Sequence, residues 1–569
     1  MRPQPALLAS KSSSSKFSWR KLGLIPHERA ALLRHLSSVA RPHEPVASFK
    51  GQKCAFRDFL QTDTCRDHCR CRSEETRVMS SSMRTLRQFA FRHLGTTAIA
   101  LLLVLRLQSQ VLAATYQQYS NASMTALLKD FYHLGYWRQC VSGCNFSNHD
   151  WGADSLTNTL FFHWKATHDP AVLPYFEKLV QTMPLYGPCP AAMCREWSDG
   201  REWDSVAASR AFEVTRLPDA LKKAQASYES VESSTAYALG ACPSIRFQKP
   251  FGAGGGLKTL ETEANAIKAS LLLYRYTGSQ QYLTASIRRY TAVRKYFLDP
   301  QLPLYSVYVF DNGSTCTQLP HRFFASVNGL MVYNGTLLTA ITRNPTYRRQ
   351  ALQTAYAVMK YLSDSANIYE NLQAENDIEE PLIEAMYDLA KSGDTSIKNW
   401  LLNNADAAVS DREASGTFGR FFGGPPPAAT ISEWQTNGGF ALMIAAAALN
   451  PMGAPSHANA WARARYVADS ITTLPASIHF VGARIALVGT LGERCCESGH
   501  ARVFVDGLET FDNTGIWQNK SATGKIFPNA ILFAWQWSAS GPHTLTFYPG
   551  VFNPKEGRSY LHIQGYLFK

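Results

Sequence analysis

The residues most suited to chemistry lie in WSDGREWDSVAASRAFEV, residues 197–214. This stretch places Asp199 and Asp204 beside tryptophans at the start of an amphipathic helix. Sugar rings present apolar faces that pack on indole, and glycosidic bonds are hydrolysed by two carboxyl groups. The residue types therefore indicate a glycosidase-like site. The alternative is a capped helix start, with Asp204 as a cap or first-turn acid favoured by the helix dipole.

The spacing of the two aspartates decides how well they can cooperate. Glycosidase carboxyls lie ~5–5.5 Å apart in retaining enzymes and ~6.5–9.5 Å apart in inverting ones. If residues 199–203 form a loop, Asp204 can face Asp199 across a cleft. If the helix already runs through residue 199, the offset turns them about 140° apart, which is a poor arrangement. Glu196 and Glu202 are expected to be surface charges.

A second group of carboxylates lies in QAENDIEEP, residues 373–381. If this segment begins a helix at the same end of the fold, Asp377 and Glu380 enter the same cleft as Asp199. The alternative is a helix cap in which Glu380 is the capping-box partner of Asn376 or Asp377.

Aromatic and polar residues recur at other helix starts, in HDWGAD (149–154), PHRFFASVNG (320–329) and EWQTNGG (433–439). Such side chains suit stacking on sugars and hydrogen bonding to hydroxyls. The candidate sugar-contacting residues are Asp150, Trp151, Trp203, Asn328, Asp377, Trp434 and Gln435. No HExxH motif or clustered His/Asp set predicts a metal, and no P-loop or dinucleotide fingerprint is present. We therefore predict a site without a cofactor.

The elements that position these residues are helical hairpins between about residues 120 and 450. Each is an apolar helix, a short polar turn and a second amphipathic helix. The segments are 154–180, 204–231, 264–297, 328–362, 380–409 and 436–471. The long, Gly/Pro/aromatic-rich segments between them argue against tetratricopeptide repeats, whose period is ~34 residues. The pattern predicts an all-α (α/α)6 toroid of six helical hairpins over residues 115–473, with functional loops on one face.

After about residue 474 the period changes to short alternating or β-branched runs separated by Gly-rich turns. Residues 474–569 are therefore predicted to form an all-β sandwich. Trp517, Trp535 and Trp537 are its candidate sugar platform; the alternative is a passive domain packed on the toroid.

Three hairpins carry a family resemblance: DSVAASRAFEVTRLPDALKKA, LETEANAIKASLLLYRYTGSQQYL and FFASVNGLMVYNGTLLTAITRNPTYRRQA. Residues 120–450 resemble glycoside hydrolase family 76, endo-α-1,6-mannanases with an (α/α)6 fold. The tail resembles galactose-binding-like jelly rolls. The family resemblance implies two adjacent aspartates before the second hairpin, the first a nucleophile and the second an acid/base. Aligned on AFEVT, these positions are Asp199 and Gly200, so the second aspartate is missing.

The resemblance implies hydrolysis of an α-linked, mannan-like polysaccharide, with Asp199 as nucleophile or base and Asp204 as the replacement acid. Because Gly200 removes the family's second aspartate, a non-catalytic glycan-binding protein is the alternative. A polysaccharide lyase is a third possibility, for which His321 and Arg322 are the candidate base and cation.

The 569 residues carry a net charge of +13, but the excess lies in residues 1–110. The remainder is close to neutral, which argues against nucleic acid as a partner. Residues 83–114 have a basic start, an apolar run and a small-residue site ending at Ala113, as secretory signals do; a membrane anchor is the alternative if 94–112 is not cleaved. Residues 1–82 then form a disordered basic extension.

Eight cysteines follow the signal, an even number that fits disulfides. Asn-x-Ser/Thr sequons lie at Asn121, Asn145, Asn312, Asn334 and Asn519. These features predict a secreted, glycosylated and disulfide-containing monomer.

Overall fold

The computed structural model describes residues 114–141, 146–188, 197–234, 240–247, 256–319, 321–369, 378–427, 432–491, 501–510, 527–549 and 563–569. Several predictions fall outside these ranges. They concern the signal segment and its upstream extension, Asp377, Trp517, the sequons at Asn145 and Asn519, and Cys144, Cys189, Cys194, Cys495 and Cys496.

Twelve α-helices are present in the described residues before residue 450. Their bounds are α1 Tyr116–Phe131, α2 Trp151–Thr167, α3 Leu173–Thr182, α4 Ser198–Thr215, α5 Pro218–Glu232, α6 Leu260–Thr277, α7 Gln280–Tyr296, α8 Ala325–Thr342, α9 Pro345–Tyr361, α10 Glu380–Lys391, α11 Thr395–Ala408 and α12 Glu433–Leu449.

The even-numbered helices form a closed inner ring. α2 contacts α4, and the contacts continue through α6, α8, α10 and α12 back to α2. Inner helices are buried around most of their circumference, whereas outer helices bury one stripe. The inner helices approach closely at small residues: a β-carbon on Gly329 of α8 would collide with the backbone of Leu382 on α10. This is the predicted (α/α)6 toroid.

The same turn joins the two helices of four hairpins. A threonine ends the inner helix, and its hydroxyl accepts a hydrogen bond from the N–H two residues on, at 3.2–3.3 Å. The residue between has a left-handed backbone, with φ between 56° and 70°, and ends the helix. The four residues are His168, Arg216, Gly278 and Arg343. Four of the predicted polar turns thus have one repeated structure, whereas the turn after Lys391 ends its helix at Ser392 with a φ of −79°.

The sixth hairpin is closed differently from the prediction. Residues 456–471 were expected to be its second helix, but Arg465–Ile471 is a β-strand. The outer partner of α12 is α1, the first described helix, whose Thr115 and Gln118 form a capping box. The Ala- and Arg-rich residues before the strand favour a helix locally, but pairing with the last strand of the sheet prevails.

The strands before residue 450 form two small sheets. They are β1 Tyr132–His133, β2 Tyr136–Arg138, β3 Phe146–Ser147, β4 Leu257–Thr259, β5 Tyr308–Asp311 and β6 Cys316–Gln318. A disulfide joins Cys242 to Cys316 at the edge of the β4–β5–β6 sheet. It ties the loop before α6 to the loop before α8.

The C-terminal strands form a six-stranded antiparallel sheet in the order β10–β9–β11–β8–β12–β7. They are β7 Arg465–Ile471, β8 Ala476–Leu491, β9 Ala501–Val505, β10 Leu508–Glu509, β11 Phe527–Pro549 and β12 Ile563–Phe568. The long strands β8 and β11 lose register between Gln536 and Gly541, which bends such a pair. Because β7 pairs with β12, the β region begins at Arg465, before the predicted boundary at 474.

This sheet packs on the toroid. The Gln536 N–H donates to Asp364 Oδ2 at 3.1 Å, and Trp461 Nε1 donates to the Gly423 carbonyl at 2.9 Å. Two candidate platform tryptophans are engaged inside the sheet. Trp535 stacks on Phe533, and Trp537 stacks on His543 and donates to Asp506.

The interior of the ring holds a buried charge cluster. Glu384 of α10 pairs with Arg210 of α4, with Lys165 of α2 at 3.1 Å and with Lys268 of α6 at 3.5 Å. The three cations hold the pKa of Glu384 far below its usual range. The cluster therefore links four inner helices through one carboxylate.

Two observations bear on the surface predictions. Asn334, one of the predicted glycosylation sites, is fully buried in α8 and donates to the Ala264 carbonyl at 2.9 Å, so the folded chain cannot carry a glycan there. Asn121 and Asn312 are exposed. In the described part of the chain, no helix is both long and apolar enough to cross a membrane.

Candidate active site

A cavity of about 690 Å³ opens where the inner helices begin. It is lined by His149, Asp150, Trp151, Tyr186, Trp197, Asp199, Gly200, Arg201, Trp203, Asp204, Glu261, Ser326 and Ile378. These residues come from the N-terminal ends of α2, α4, α6 and α8, from the segment before α10 and, for Tyr186, from the loop after α3. The cavity falls within the ~300–1,000 Å³ typical of ligand sites and combines aromatic walls with carboxylates.

Helix α4 contributes the largest share of the wall. It begins at Ser198, so Asp199 is its second residue and Asp204 lies in its second turn, not at a cap. The helix therefore runs through residue 199, the case expected to separate the two aspartates. Both aspartates nevertheless line the cavity, together with Gly200 and Trp203. The cavity wraps around the first turns of the helix over an arc of about 140°, which is the angle between the two aspartates.

Gly200 lies between the two aspartates on this arc. A β-carbon built on it would have no heavy atom within 4 Å. The helix backbone there is not left-handed, so a larger residue fits without strain. The position at which the sequence resemblance implies a second aspartate is therefore open space.

Asp204 is 2% exposed and is held by its neighbours. Its Oδ1 accepts from the Asp150 N–H at 3.2 Å, and its Oδ2 lies 4.0 Å from an Arg201 nitrogen. Burial raises the pKa of Asp204, although contacts with Asp154, Tyr186, His149 and Arg201 favour its charged form. The group is thus suited to carry a proton.

Asp154, which the sequence interpretation did not single out, is the buried partner of Asp204. It lies on α2 one turn after Asp150 and has no exposed surface. Burial and the adjacent Asp204 carboxyl hold its pKa well above the usual range. The environment of Asp154 therefore favours its protonated form. The sequence did contain an indication of this residue: Asp154 follows Asp150 by four positions in HDWGAD, a spacing that places both on one face of a helix.

Tyr186 closes one side of the cavity. The Arg201 guanidinium lies 3.3 Å from its ring centroid, a cation–π contact that fixes both side chains. Burial, followed by the charge of Asp204, raises the pKa of Tyr186. Tyr186 lies in a loop outside any periodic pattern, so the sequence carried no signal for it. Glu261, in the first turn of α6, also lines the cavity without having been predicted.

Asp150 and Trp151 begin α2 at the rim of the cavity. Asp150 caps the helix by accepting from the N–H groups of Gly152 and Ala153, and Gln139 donates to the same oxygen at 2.8 Å. Trp151 stacks on Trp434, with ring centroids 5.7 Å apart and planes 22° apart. Trp434 is not among the lining residues and supports Trp151.

Other candidates have structural roles. Asn328 is fully buried and holds the backbone of Tyr305 and Phe324 through three hydrogen bonds of 2.9–3.1 Å. Gln435 is the capping-box partner of Ser432 at the start of α12. His321 pairs with Asp299 at 3.4 Å and does not line the cavity, which removes the support for a lyase base.

Two predictions for acidic residues need correction. Glu202 is fully buried, not a surface charge, and pairs with Arg246, which also contacts Glu263. Glu380 does not complete a capping box: the N-cap of α10 is Glu379, without a side-chain cap bond. The Glu380 carboxyl instead faces Arg210 at 3.8 Å and does not line the cavity.

Across the described ranges, no three His, Cys, Asp or Glu side chains are grouped so that they could hold a metal ion. What the arrangement offers chemically is proton transfer and nucleophilic attack by carboxyl groups beside aromatic faces.

No protein-family model and no curated protein sequence matches this chain. Solved structures do. The α-1,6-mannanase GH76A of Salegentibacter sp. HEL1_6 superposes with a TM-score of 0.52 and 16% identity, covering 59% of this chain and all of that one. A variant of the same protein, inactivated by changing two consecutive aspartates to asparagine, was solved with α-1,6-mannotriose. A family 76 mannosidase from Bacteroides thetaiotaomicron gives 0.50 and 12%, covering 59% and 98%. The toroid thus has the fold of family 76 glycoside hydrolases.

Proposed function

We propose that this protein is a glycoside hydrolase that cleaves an α-linked, mannan-like polysaccharide in the cavity around Asp199 and Asp204. The observation that carries the proposal is that both carboxyls line one cavity. Buried Asp204, with its raised pKa, is the proton donor to the leaving oxygen. Asp199, in the first turn of α4, is the nucleophile or the base that activates water.

The positions of the surrounding groups suit these roles. The positive end of the α4 dipole stabilises a carboxylate at Asp199. Trp151 offers a ring face to the sugar, whereas Trp203, also predicted as a sugar contact, is 3% exposed and forms the wall behind the cavity. Asp150 anchors Asp204 through its backbone N–H. The mannan-like substrate is supported by the shared fold and by the mannotriose bound to one structural neighbour.

A second candidate function is glycan binding without hydrolysis. The open space at Gly200 favours it, since the family's second aspartate is absent there. In that case the aromatic walls hold the glycan, and Asp199 and Asp204 contribute only hydrogen bonds.

Release of reducing ends from α-1,6-mannan distinguishes the two functions. Asp199→Asn and Asp204→Asn are each expected to lower the rate by at least ~100-fold, as for loss of a catalytic acid, base or nucleophile. Asp219→Asn is the matched control, because Asp219 is also the second residue of a helix but lies on α5 with its side chain 56% exposed. A parent protein that binds α-glycans but cleaves none of a panel contradicts the hydrolase and supports the binding protein.

We further propose that the protein is secreted, with N-glycans on Asn121 and Asn312. Treatment with peptide-N-glycosidase followed by peptide mass spectrometry tests this. Both asparagines are expected to convert to aspartate, whereas Asn334, which is buried, is expected to remain unchanged. Sequencing of the mature N-terminus is expected to give a start just after Ala113.

A further inference from the structure

A second cavity, of about 840 Å³, lies beside the first on the outer side of the ring. We call it the outer groove. Its walls are Tyr186–Pro188, the last two turns of α5 and the first turns of α7. The proposed function does not use it, although its volume is also in the range of ligand sites.

The two cavities share one side chain, Tyr186. Its phenol lies near Asp204 in the first cavity, while Gly187 and Pro188 continue along the outer groove. The helices beneath are also connected, because Ser227 Oγ of α5 donates to the Arg201 carbonyl of α4 at 2.7 Å. A ligand in one cavity is therefore separated from the other by a single aromatic residue.

The walls of the outer groove suit a polyhydroxylated ligand. Tyr228 is 2% exposed and its hydroxyl has no hydrogen-bond partner, a situation that is rare for a buried polar group. Tyr282 donates to Glu229 at 2.7 Å beside it. Tyr282 is also only 2% exposed and packs edge-to-face on Tyr228, so the groove offers a sugar polar groups and not a stacking face. The exposed carboxylate of Glu229 and guanidinium of Arg288 can bond sugar hydroxyls.

The charges favour a neutral ligand over an ionic one. Arg288 is 55% exposed and pairs with Glu232 at 3.2 Å, and Arg289 pairs with the same carboxylate. Positive and negative groups are thus balanced along this wall, so neither an anion nor a cation is attracted strongly.

We propose that the outer groove binds a second segment of the same polysaccharide, which passes over Tyr186 from the cavity around Asp199. The inference rests on the proposed function. It makes the unpartnered hydroxyl of Tyr228 and the guanidinium of Arg288 contacts for sugar units remote from the cleaved bond. Such contacts raise affinity for long or branched chains and leave short ones unaffected.

Calorimetric binding of two sugars tests this, with α-1,6-mannobiose and α-1,6-mannohexaose added to the full protein carrying Asp199→Asn so that neither is cleaved. Adding Arg288→Ala, or separately Tyr228→Phe, is expected to weaken hexaose binding about tenfold and to leave biose binding unchanged. Tyr228→Phe removes an unpartnered hydroxyl, so it does not threaten folding. Arg275→Ala is the matched control: this arginine is 51% exposed and pairs with one glutamate at 3.7 Å on the far end of α6.

Equal hexaose affinity in all variants overturns the outer groove as a binding site and leaves the proposed function intact. Weakening of both sugars to the same degree also overturns it, because the groove residues then act through the first cavity. Absence of binding by either sugar, together with an inactive parent in the reducing-end assay, overturns the proposed function and the inference with it.

Discussion

Replacing Gly200 with aspartate places a third carboxyl group between Asp199 and Asp204. The site accepts it sterically, since a β-carbon there meets nothing within 4 Å. It is the third residue of α4, whose N-cap, Trp197, makes no side-chain cap bond. An aspartate at this position is stabilised by the positive end of the helix dipole.

The energetic balance is a net loss of about 2 kcal/mol of stability and a large effect on the chemistry. Glycine to aspartate gains about 0.4 kcal/mol of helix propensity and ~0.3–1 kcal/mol from the dipole. Against this, a carboxylate about 5 Å from Asp199 is repelled by ~3 kcal/mol at an effective dielectric constant of 20. At 1.36 kcal/mol per unit, this repulsion raises the pKa of one carboxyl of the pair by about two units. A general acid for hydrolysis near neutral pH needs such a shift.

The assay measures reducing-end release from α-1,6-mannan by proteins that carry either Asp204 or Asn at position 204. Asp204→Asn alone is expected to abolish activity, and Gly200→Asp in the same chain is expected to restore it by at least ~100-fold, the lower range for general acid catalysis. Gly200→Ala supplies the helix propensity without the carboxyl, and Gly200→Asn supplies the size without the charge. Neither control is expected to restore activity.

Two results refute this reasoning. If the Gly200→Asp/Asp204→Asn protein stays as inactive as Asp204→Asn while its circular dichroism and cooperative thermal unfolding show that it is folded, position 200 does not face the scissile bond. If Asp204→Asn leaves the parent rate unchanged, Asp204 is not the acid and its raised pKa reflects burial alone.

Three further outcomes are expected. Glu384→Gln leaves Lys268 without its paired carboxylate, while Lys165 keeps only Asp388 and Arg210 keeps only Glu380. The free energy of unfolding in urea should therefore fall by about 3–5 kcal/mol, and no change would mean that water enters the ring. Burial holds the pKa of Glu433 well above 4.5, so the parent loses stability as pH rises above 4.5. Glu433→Gln should therefore raise the free energy of unfolding at pH 7 but not at pH 4, which chemical unfolding at both pH values measures. The disulfide joins Cys242 and Cys316 across a sequence separation of 74 residues. Replacing both cysteines with serine should therefore lower the free energy of unfolding by about 4 kcal/mol, and an unchanged Tm would contradict this.

The sequence predicted the helical hairpins because their signals are local. The apolar period of 3.6 and the threonine turns near residues 167, 215, 277 and 342 are visible in one dimension. Ring closure was missed because α1 and α12 are separated by the whole toroid in sequence. The strand at Arg465–Ile471 was missed for the same reason, since only its pairing with β12 overrides the composition.

The candidate site was predicted where side-chain chemistry and helix starts coincide. Asp150, Trp151, Trp203 and both proposed catalytic aspartates line one cavity. Burial could not be derived from the sequence. An asparagine near a helix start was predicted to contact sugar, but the Asn328 side chain instead accepts a hydrogen bond from the backbone N–H of Tyr305. Tyr186 reaches the cavity from an irregular loop, so only the three-dimensional structure reveals it.

Closure of the ring by its first helix has a consequence for synthesis. α1 leaves the ribosome early, but its partner α12 ends at residue 449. At ~5–20 residues per second, the roughly 300 residues between them take about 15–60 s to translate. During that interval the face of α1 that packs on α12 lacks its partner, so the nascent chain needs a chaperone to shield it. The toroid then completes in one late step when its two ends meet.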